Sequence, residues 1–367
     1  MRIVAVTTWF PTAVAPASGT FVVKDALAIA SLGHDVDVVH LVPPHQDDGT
    51  RRLRHEGLRV VRVPMSTTDP RQVLAAARAL RPLLAGADVV HSMAFSSLLP
   101  LSLQRPAAPW VHTEHWSGLT SPQNLPVSWQ RVLPALRHLL ARPDVATAVC
   151  EFLAQPVRAV RGGRPTHVVP CIVETPVPLP PRAARSDRLR LVAVGGLIDR
   201  KDPVLAVETV AELERRGVPA QLVHVGEGEL RDAVVRRAEE LGVAEHVRLT
   251  GSLPRAGVLA ELAAADLFFG PTRGDNFFVS AAEAIVSGRP LVVGATGGQG
   301  EYIDPRVGEL VDVQDAGAYA DAIVRVDAAT RDLSAAEISA TVGDRFSVPE
   351  VAAGYACAYD RAREARR

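Results

Sequence analysis

The sequence predicts an α/β protein of two Rossmann-like, doubly wound parallel-sheet domains facing each other across a cleft. Three observations carry this. Short β-branched runs alternate with amphipathic segments along the chain, the pattern of strands that need covering helices. A length of 367 residues is long for one core and comfortable for two. Residues 173–187 hold four prolines and little periodicity, which marks an extended connection. The boundaries are therefore 1–173 for an N-terminal domain, 174–187 for the linker, 188–348 for a C-terminal domain and 349–366 for a last helix.

Taken in order, Arg2 to Val6 is the first strand, followed by a Pro- and Ala-rich loop to Thr20. A helix runs from Phe21 to Leu32, and Gly33 stops it. Strands follow at Asp35–Leu41 and Leu58–Val63, then a helix from about Pro70 to Leu84. Strands at Asp88–His91, Trp110–Thr113 and Val145–Val149 complete the first series, with a helix over Pro126–Ala141 bent at Pro134. Past the linker, strands are expected at Leu189–Val194, Gln221–Val225, His246–Leu249, Asp266–Phe269, Leu291–Val293 and Glu309–Val311. Two such sheets open a ligand cleft at the carboxyl ends of their strands.

Bulk composition excludes several classes. Hydrophobic content of 47% with 22% charged residues describes a soluble globular chain, and a net charge of −1 argues against a general nucleic-acid grip. Cys150, Cys171 and Cys357 are too few and too scattered for a disulfide framework and suit a reducing, cytoplasmic setting. The opening residues imitate a signal peptide only faintly, because Thr7 and Thr8 interrupt the apolar run. The uncharged runs 3–23 and 89–104 are broken by prolines and hydroxyl residues, so neither is expected to span a membrane. Lysine occurs only at positions 24 and 201 while arginine abounds, a bias of GC-rich genomes.

Residues 265–301 organise the chain. A strand, a turn-prone loop over Gly270–Asn276, a helix from about Phe278 to Ser287, a stop at Gly288 and a second strand follow in sequence. Asp275 precedes the helix and Glu283 lies within it, with seven residues between them. That interval is about two turns, so both acids can address one side, beside free N–H groups and a positive dipole end. The arrangement suits a ligand with hydroxyls at both ends and a diphosphate between. A plain amphipathic helix with an Asp cap and a solvated Glu fits the same spacing.

Other segments carry weaker signals. Val194-Gly195-Gly196-Leu197-Ile198-Asp199-Arg200-Lys201 joins a strand to a helix, where glycines admit a phosphate and Lys201 supplies charge; ordinary turns read alike. Trp110 to Trp116 ends a strand with His112, Glu114 and His115 close together. Asp35 and Asp37 imitate a metal-binding D-x-D, but they enter a strand, and no metal is expected there. The loop His45 to Asp48, with Glu114, could suit an amino-bearing acceptor, and the helix around Arg131 and Arg137 could touch anionic lipid; a solvated surface fits both.

Together these segments resemble the retaining GT-B glycosyltransferases close to glycosyltransferase family 4. Their segment E-G-F-G-L-x-x-x-E-A-x-A-x-G-x-P, ending G-G-x-x-E, is matched by Asp275, Glu283, Ala284, Gly288, Pro290, Gly297, Gly298 and Glu301. Asp275 is one methylene shorter than the usual acid, and Phe278 stands at a glycine position. The resemblance assigns donor binding to Asn276, Phe277, Phe278 and Val279, to Glu283 at the ribose and to Asp275 at the sugar. The loop at Gly195 is similar to G-R-L-x-x-x-K-G, with Gly196 in place of the arginine, so either Arg200 substitutes or Lys201 acts with backbone alone. Gly226 matches V-G-x-G; Ser252 and Leu253 match the turn under the base. Gly19 matches the glycine turn near the donor phosphate, and His115 a T-x-H histidine at the donor sugar.

What the resemblance implies is transfer of a sugar from a UDP- or GDP-sugar to an acceptor hydroxyl with retention, without metal or other cofactor. His115, Asp275 and Lys201 would be catalytic. The second domain would hold the donor, the first a small-molecule, glycan or lipid-linked acceptor, and the last helix would cross back to the first. A peripheral membrane contact and a homodimer stay open. So do a nucleotide-sugar 2-epimerase and a non-catalytic sugar-nucleotide-binding partner.

Overall fold

The computed structural model describes residues 1–367. It divides into two compact units, Met1–Ile172 with Ser347–Arg367, and Val173–Phe346.

The first unit has strands β1 (Arg2–Thr7), β2 (Asp35–Val42), β3 (Arg52–His55), β4 (Leu58–Pro64), β5 (Val89–Met93), β6 (Trp110–Glu114), β7 (Val145–Ala148) and β8 (Thr166–Val168). They form one sheet in the order β3-β4-β2-β1-β5-β6-β7-β8. All pair in parallel except β3, which folds back antiparallel on β4. Parallel strands bury both faces, and β1, β5 and β6 are accordingly almost wholly buried. The covering helices are α1 (Thr20–Ser31), α2 (Pro70–Leu83), α3 (Leu98–Leu103), α4 (Val127–Leu136) and α5 (Glu151–Arg161). The terminal helix, Val348–Glu364, places Val351, Tyr355 and Tyr359 in the same core as Ile29 of α1 and Val111 of β6.

Two sequence expectations need revision here. The expected long helix around Pro134 keeps its α-helical turns only to Leu136, and Arg137–Ala141 continue as a 3₁₀ turn. Strands β3 and β8 were not expected: the four residues of β3 read Arg-Leu-Arg-His and show no β-branched run, and β8 is only three residues long.

The second unit is an all-parallel sheet of β9 (Leu189–Val194), β10 (Ala220–Val225), β11 (Val247–Gly251), β12 (Leu267–Gly270), β13 (Leu291–Gly294) and β14 (Gly308–Val311). Its order is β11-β10-β9-β12-β13-β14. Helices α6 (Pro203–Arg215), α7 (Arg231–Glu240), α8 (Arg255–Ala264), α9 (Val279–Val286), α10 (Ala316–Ala329) and α11 (Ala335–Ser339) complete it. The proline-rich stretch 174–187 has neither helix nor strand. It is tied to this unit by the buried Arg289, which donates to Pro181 O at 2.9 Å, and by Arg182, which donates to Leu333 O at 3.1 Å.

Each sheet reverses its winding once, between β1 and β5 in one unit and between β9 and β12 in the other. At such a reversal the loops leaving the strand ends diverge and open a crevice, where ligands of these sheets bind.

Candidate active site

In the second unit the loops after β9 and β12 meet at the reversal. Beyond β9, Gly195 and Gly196 lead to a 3₁₀ turn over Asp199–Lys201, then Asp202 and the first turn of α6. Gly195 N donates to Val225 O at 2.9 Å, and Gly226 N to Gly251 O at 2.9 Å, so three strand ends are stitched in a row. Gly226 has φ 142°, and a Cβ there would lie 2.0 Å from Gly195 O, so this approach admits only glycine. Ser252 and Leu253 follow β11 on the same edge.

The loop after β12 is tied across. Arg273 N and the Thr272 hydroxyl both donate to Arg200 O, at 2.9 and 3.0 Å. The Arg273 guanidinium pairs with Asp202 at 2.9 Å. These ties bring two cations onto one carboxylate: Arg200 Nη1 lies 2.7 Å and Lys201 Nζ 2.6 Å from Asp275 Oδ2. Burial alone would push the Asp275 carboxyl up, but the charges of Lys201 and Arg200 outweigh it and hold it below its ordinary value. Burial pulls the Lys201 ammonium down, against the support of Asp275. Arg200 and Lys201 thus both stand at this position, although the sequence left their division of labour open.

Lys201 Nζ also sits 3.6 Å from the centre of the Phe278 ring, a cation–π contact. Phe278 caps α9 in the left-handed region, φ 55°, as the glycine pattern requires. Its ring turns into the core against Phe268, with centroids 5.8 Å apart. The side chain is therefore buried, only 3% exposed, and does not project from the loop. Tyr302 braces the turn by donating from its hydroxyl to Phe277 O and Phe278 O, both at 2.9 Å. Asn276 O accepts from Gly298 N at 2.8 Å, and Ser280 Oγ donates to Val194 O at 2.8 Å. Val279 opens α9, and Glu283 lies half-buried one turn on.

In the first unit Gly19 and His115 come together around α1. Gly19 caps α1 with φ 67°, and a Cβ there would lie 2.3 Å from the Trp9 carbonyl. His115 follows β6, and its ring lies 4.5 Å, centre to centre, from Phe21 in the first turn of α1. The side chain is only 8% exposed, and its Nε2 is 3.5 Å from Asp25 Oδ2. Asp25 is buried on α1, and burial together with the Asp25 charge pushes the Tyr355 hydroxyl of the terminal helix well above its ordinary pKa. Sequence reasoning passed over Asp25, Thr272, Arg273 and Tyr302. For Asp25 the signal was present: an acid on the otherwise apolar face formed by Val22, Val23, Ala26 and Ile29.

The acids suggested for an amino-bearing acceptor are already engaged. Glu114 is fully buried, and its Oε1 accepts from the backbone of His115 and Trp116 at 3.0 and 2.8 Å. Asp47 is gripped by Arg51 at 2.7 and 2.9 Å, and Asp48 by Arg62 at 2.6 and 2.8 Å. Asp35 and Asp37 are both held by Arg59, and Asp37 also by Arg2. No helix is long and apolar enough to cross a membrane.

Comparison with known proteins agrees with this architecture. Residues 180–328 match the family described as Glycosyl transferases group 1, and residues 17–171 match the Glycosyl transferase 4-like domain. The GDP-mannose-dependent alpha-(1-6)-phosphatidylinositol monomannoside mannosyltransferase of Mycolicibacterium smegmatis is 30% identical over 294 residues, covering 74% of this chain and 75% of that protein. Glycogen synthase of Mycobacterium tuberculosis is 26% identical over 345 residues, covering 83% and 80%. Among solved structures, sucrose-phosphate synthase from Thermosynechococcus elongatus superposes with a TM-score of 0.81 at 22% identity over 100% of both chains. Anabaena HepE in complex with UDP and glucose gives 0.71 at 17%, over 97% and 98%. With both halves matched and the mannosyltransferase likeness spanning three quarters of its length, this chain belongs to the group 1 glycosyl transferases, GT-B enzymes of the family 4 type that use nucleotide sugars.

Proposed function

We propose that the chain is a retaining mannosyltransferase that takes its sugar from GDP-mannose and needs no metal. The donor is suggested by the names of the mannosyltransferase relatives. The observation that carries the reading is the convergence of Arg200 and Lys201 on Asp275 Oδ2 at the sheet reversal. Two fixed cations beside the N-terminal end of α9 can meet the charge of a departing diphosphate, the task a divalent ion performs elsewhere.

In this reading the bond between the anomeric carbon and the β-phosphate oxygen breaks, and its electron pair leaves on the phosphate. The acceptor oxygen bonds to that carbon on the same face, and its proton passes to the departing phosphate. Arg200, Lys201 and the α9 N–H groups stabilise the leaving charge. Backbone at Gly195, Gly196 and Gly226 lies along the phosphates, and Glu283 accepts from the ribose diol. Ser252 and Leu253 border the base. Asp275 meets the sugar through the carboxylate oxygen that the two cations do not share.

The experiment is a thermal-shift series with GDP, UDP and ADP, followed by turnover of GDP-mannose in EDTA and NMR of the product's anomeric proton. GDP at about 100 times its Kd should add roughly 2.7 kcal/mol of stability. Turnover should persist in EDTA, and the product should keep the α configuration. No shift with any nucleoside diphosphate, or an inverted product, would refute the reading.

A further inference from the structure

A second crevice concerns the other substrate, and its interpretation rests on the sugar-transfer reading above. Beyond the carboxyl ends of β1 and β5, at the reversal of the eight-stranded sheet, lies a cavity of about 240 Å³. Four aromatic rings line it: Trp9, Phe95, Trp116 and Trp129. Trp116 packs on Phe95 at 5.2 Å between centroids, and Trp129 of α4 stands edge-on to Trp116 at 6.1 Å. Hydrogen-bonding groups alternate with the rings. Thr8 and Ser96 join hydroxyls at 2.5 Å, and Gln46 and Thr67 complete the polar part.

The lining contains no Asp, Glu, Lys or Arg, and its one titratable side chain, His45, is exposed to solvent. The nearest acids on the Gln46 loop, Asp47 and Asp48, are gripped by Arg51 and Arg62, and Arg62 also donates to Pro11 O at 2.8 Å. An ammonium seated here would lose water without gaining a counter-charge, and a phosphate would gain only the solvent-exposed His45 imidazole in place of a fixed cation. An alkyl chain would strip water from the hydroxyl and amide groups without replacing their hydrogen bonds. A neutral ring that offers a C–H face and a rim of hydroxyls satisfies both kinds of wall, since indole presents an apolar face beside polar neighbours.

We propose that this cavity seats the acceptor, and that the acceptor is an unphosphorylated sugar or cyclitol whose ring stacks on the tryptophans. The test is tryptophan fluorescence of the full chain, titrated with methyl α-mannoside, glucose and myo-inositol, with mannose 6-phosphate and inositol 1-phosphate, and with decanol. At least one neutral ring should change the emission saturably and bind at least tenfold more tightly than its monophosphate and than decanol. Trp129→Ala should weaken that ring at least tenfold, and Trp129→Phe less, with GDP affinity and melting temperature unchanged. Tighter binding of a monophosphate or of decanol, no binding of any neutral ring, or a Trp129→Ala variant with unchanged ring affinity overturns the proposal. The two readings fail separately: ring binding without GDP-mannose turnover counts against mannosyl transfer, and efficient turnover onto a phosphorylated acceptor alone counts against the neutral ring.

Discussion

Replacing Lys201 by alanine separates what this side chain does for the fold from what it does for the reaction. Its side chain is 13% exposed, with the ammonium 2.6 Å from Asp275 Oδ2 and 3.6 Å from the Phe278 ring centre. Truncation does not orphan Asp275, because Arg200 stays at 2.7 Å. The cost is then one charge-assisted hydrogen bond, about 1.5–3 kcal/mol, and less than the ~3–5 kcal/mol of a buried charge left alone. Relief of the burial that already pulls the Lys201 pKa down offsets part of it. A net loss of about 1–2 kcal/mol lowers the melting temperature by roughly 2–8 °C. Catalysis suffers more, because the departing diphosphate loses one of two fixed cations. By the effect of deleting one oxyanion donor, kcat should fall about 10²–10³-fold. Lys201→Arg should recover part of the loss, since a planar fork cannot take a point charge's place. The assay is GDP release in EDTA at 25 °C, where both proteins are folded. Unimpaired turnover in Lys201→Ala, with activity abolished by EDTA and restored by magnesium, would refute the reasoning.

Four further outcomes follow from the same geometry. Glu283→Gln should weaken nucleoside-diphosphate binding by about 1.5–3 kcal/mol in calorimetry, and equal affinity would remove Glu283 from the ribose. His115→Ala should lower kcat strongly while leaving GDP affinity nearly unchanged; equal turnover would make the residue purely architectural. Phe278→Gly relieves a left-handed backbone costing about 1–3 kcal/mol but empties a ring site worth about 3–5, so denaturant melts should show net destabilisation. Burial, with the charges of His112 and His115, lowers the buried His91 to about 3; burial, then the Arg62 charge, lowers His40 to about 4. Below pH 6.5 the unfolded chain takes up protons that these folded imidazoles refuse, so stability should fall by about 2–3 kcal/mol per pH unit between pH 6 and 4.5. A flat profile there would contradict the buried, neutral assignment.

The sequence by itself determined most of the order of helices and strands, though not β3, β8, α3 or α5, because periodicity and turn residues act over a few positions. It also marked Asp275, Glu283, Lys201, Gly19 and His115 as candidates, because glycines and acids at strand ends are written locally. Strand β3 escaped because its edge position satisfies it with alternating arginines and no apolar run. What tertiary structure decided lies between segments far apart in the chain. That both Arg200 and Lys201 meet Asp275 follows from two loops separated by more than 70 residues and joined by Thr272 and Arg273. Phe278 reads as an obstacle in one dimension, but the space beside Phe268 and Gly270 takes its ring inward. His115 reads as a histidine open to the sugar, and packing on Phe21 and Asp25 turns its ring toward α1. Each of these depends on which side chains share a volume, and a sequence pattern, being local, carries no information on shared volume until the sheets bring the strand ends together.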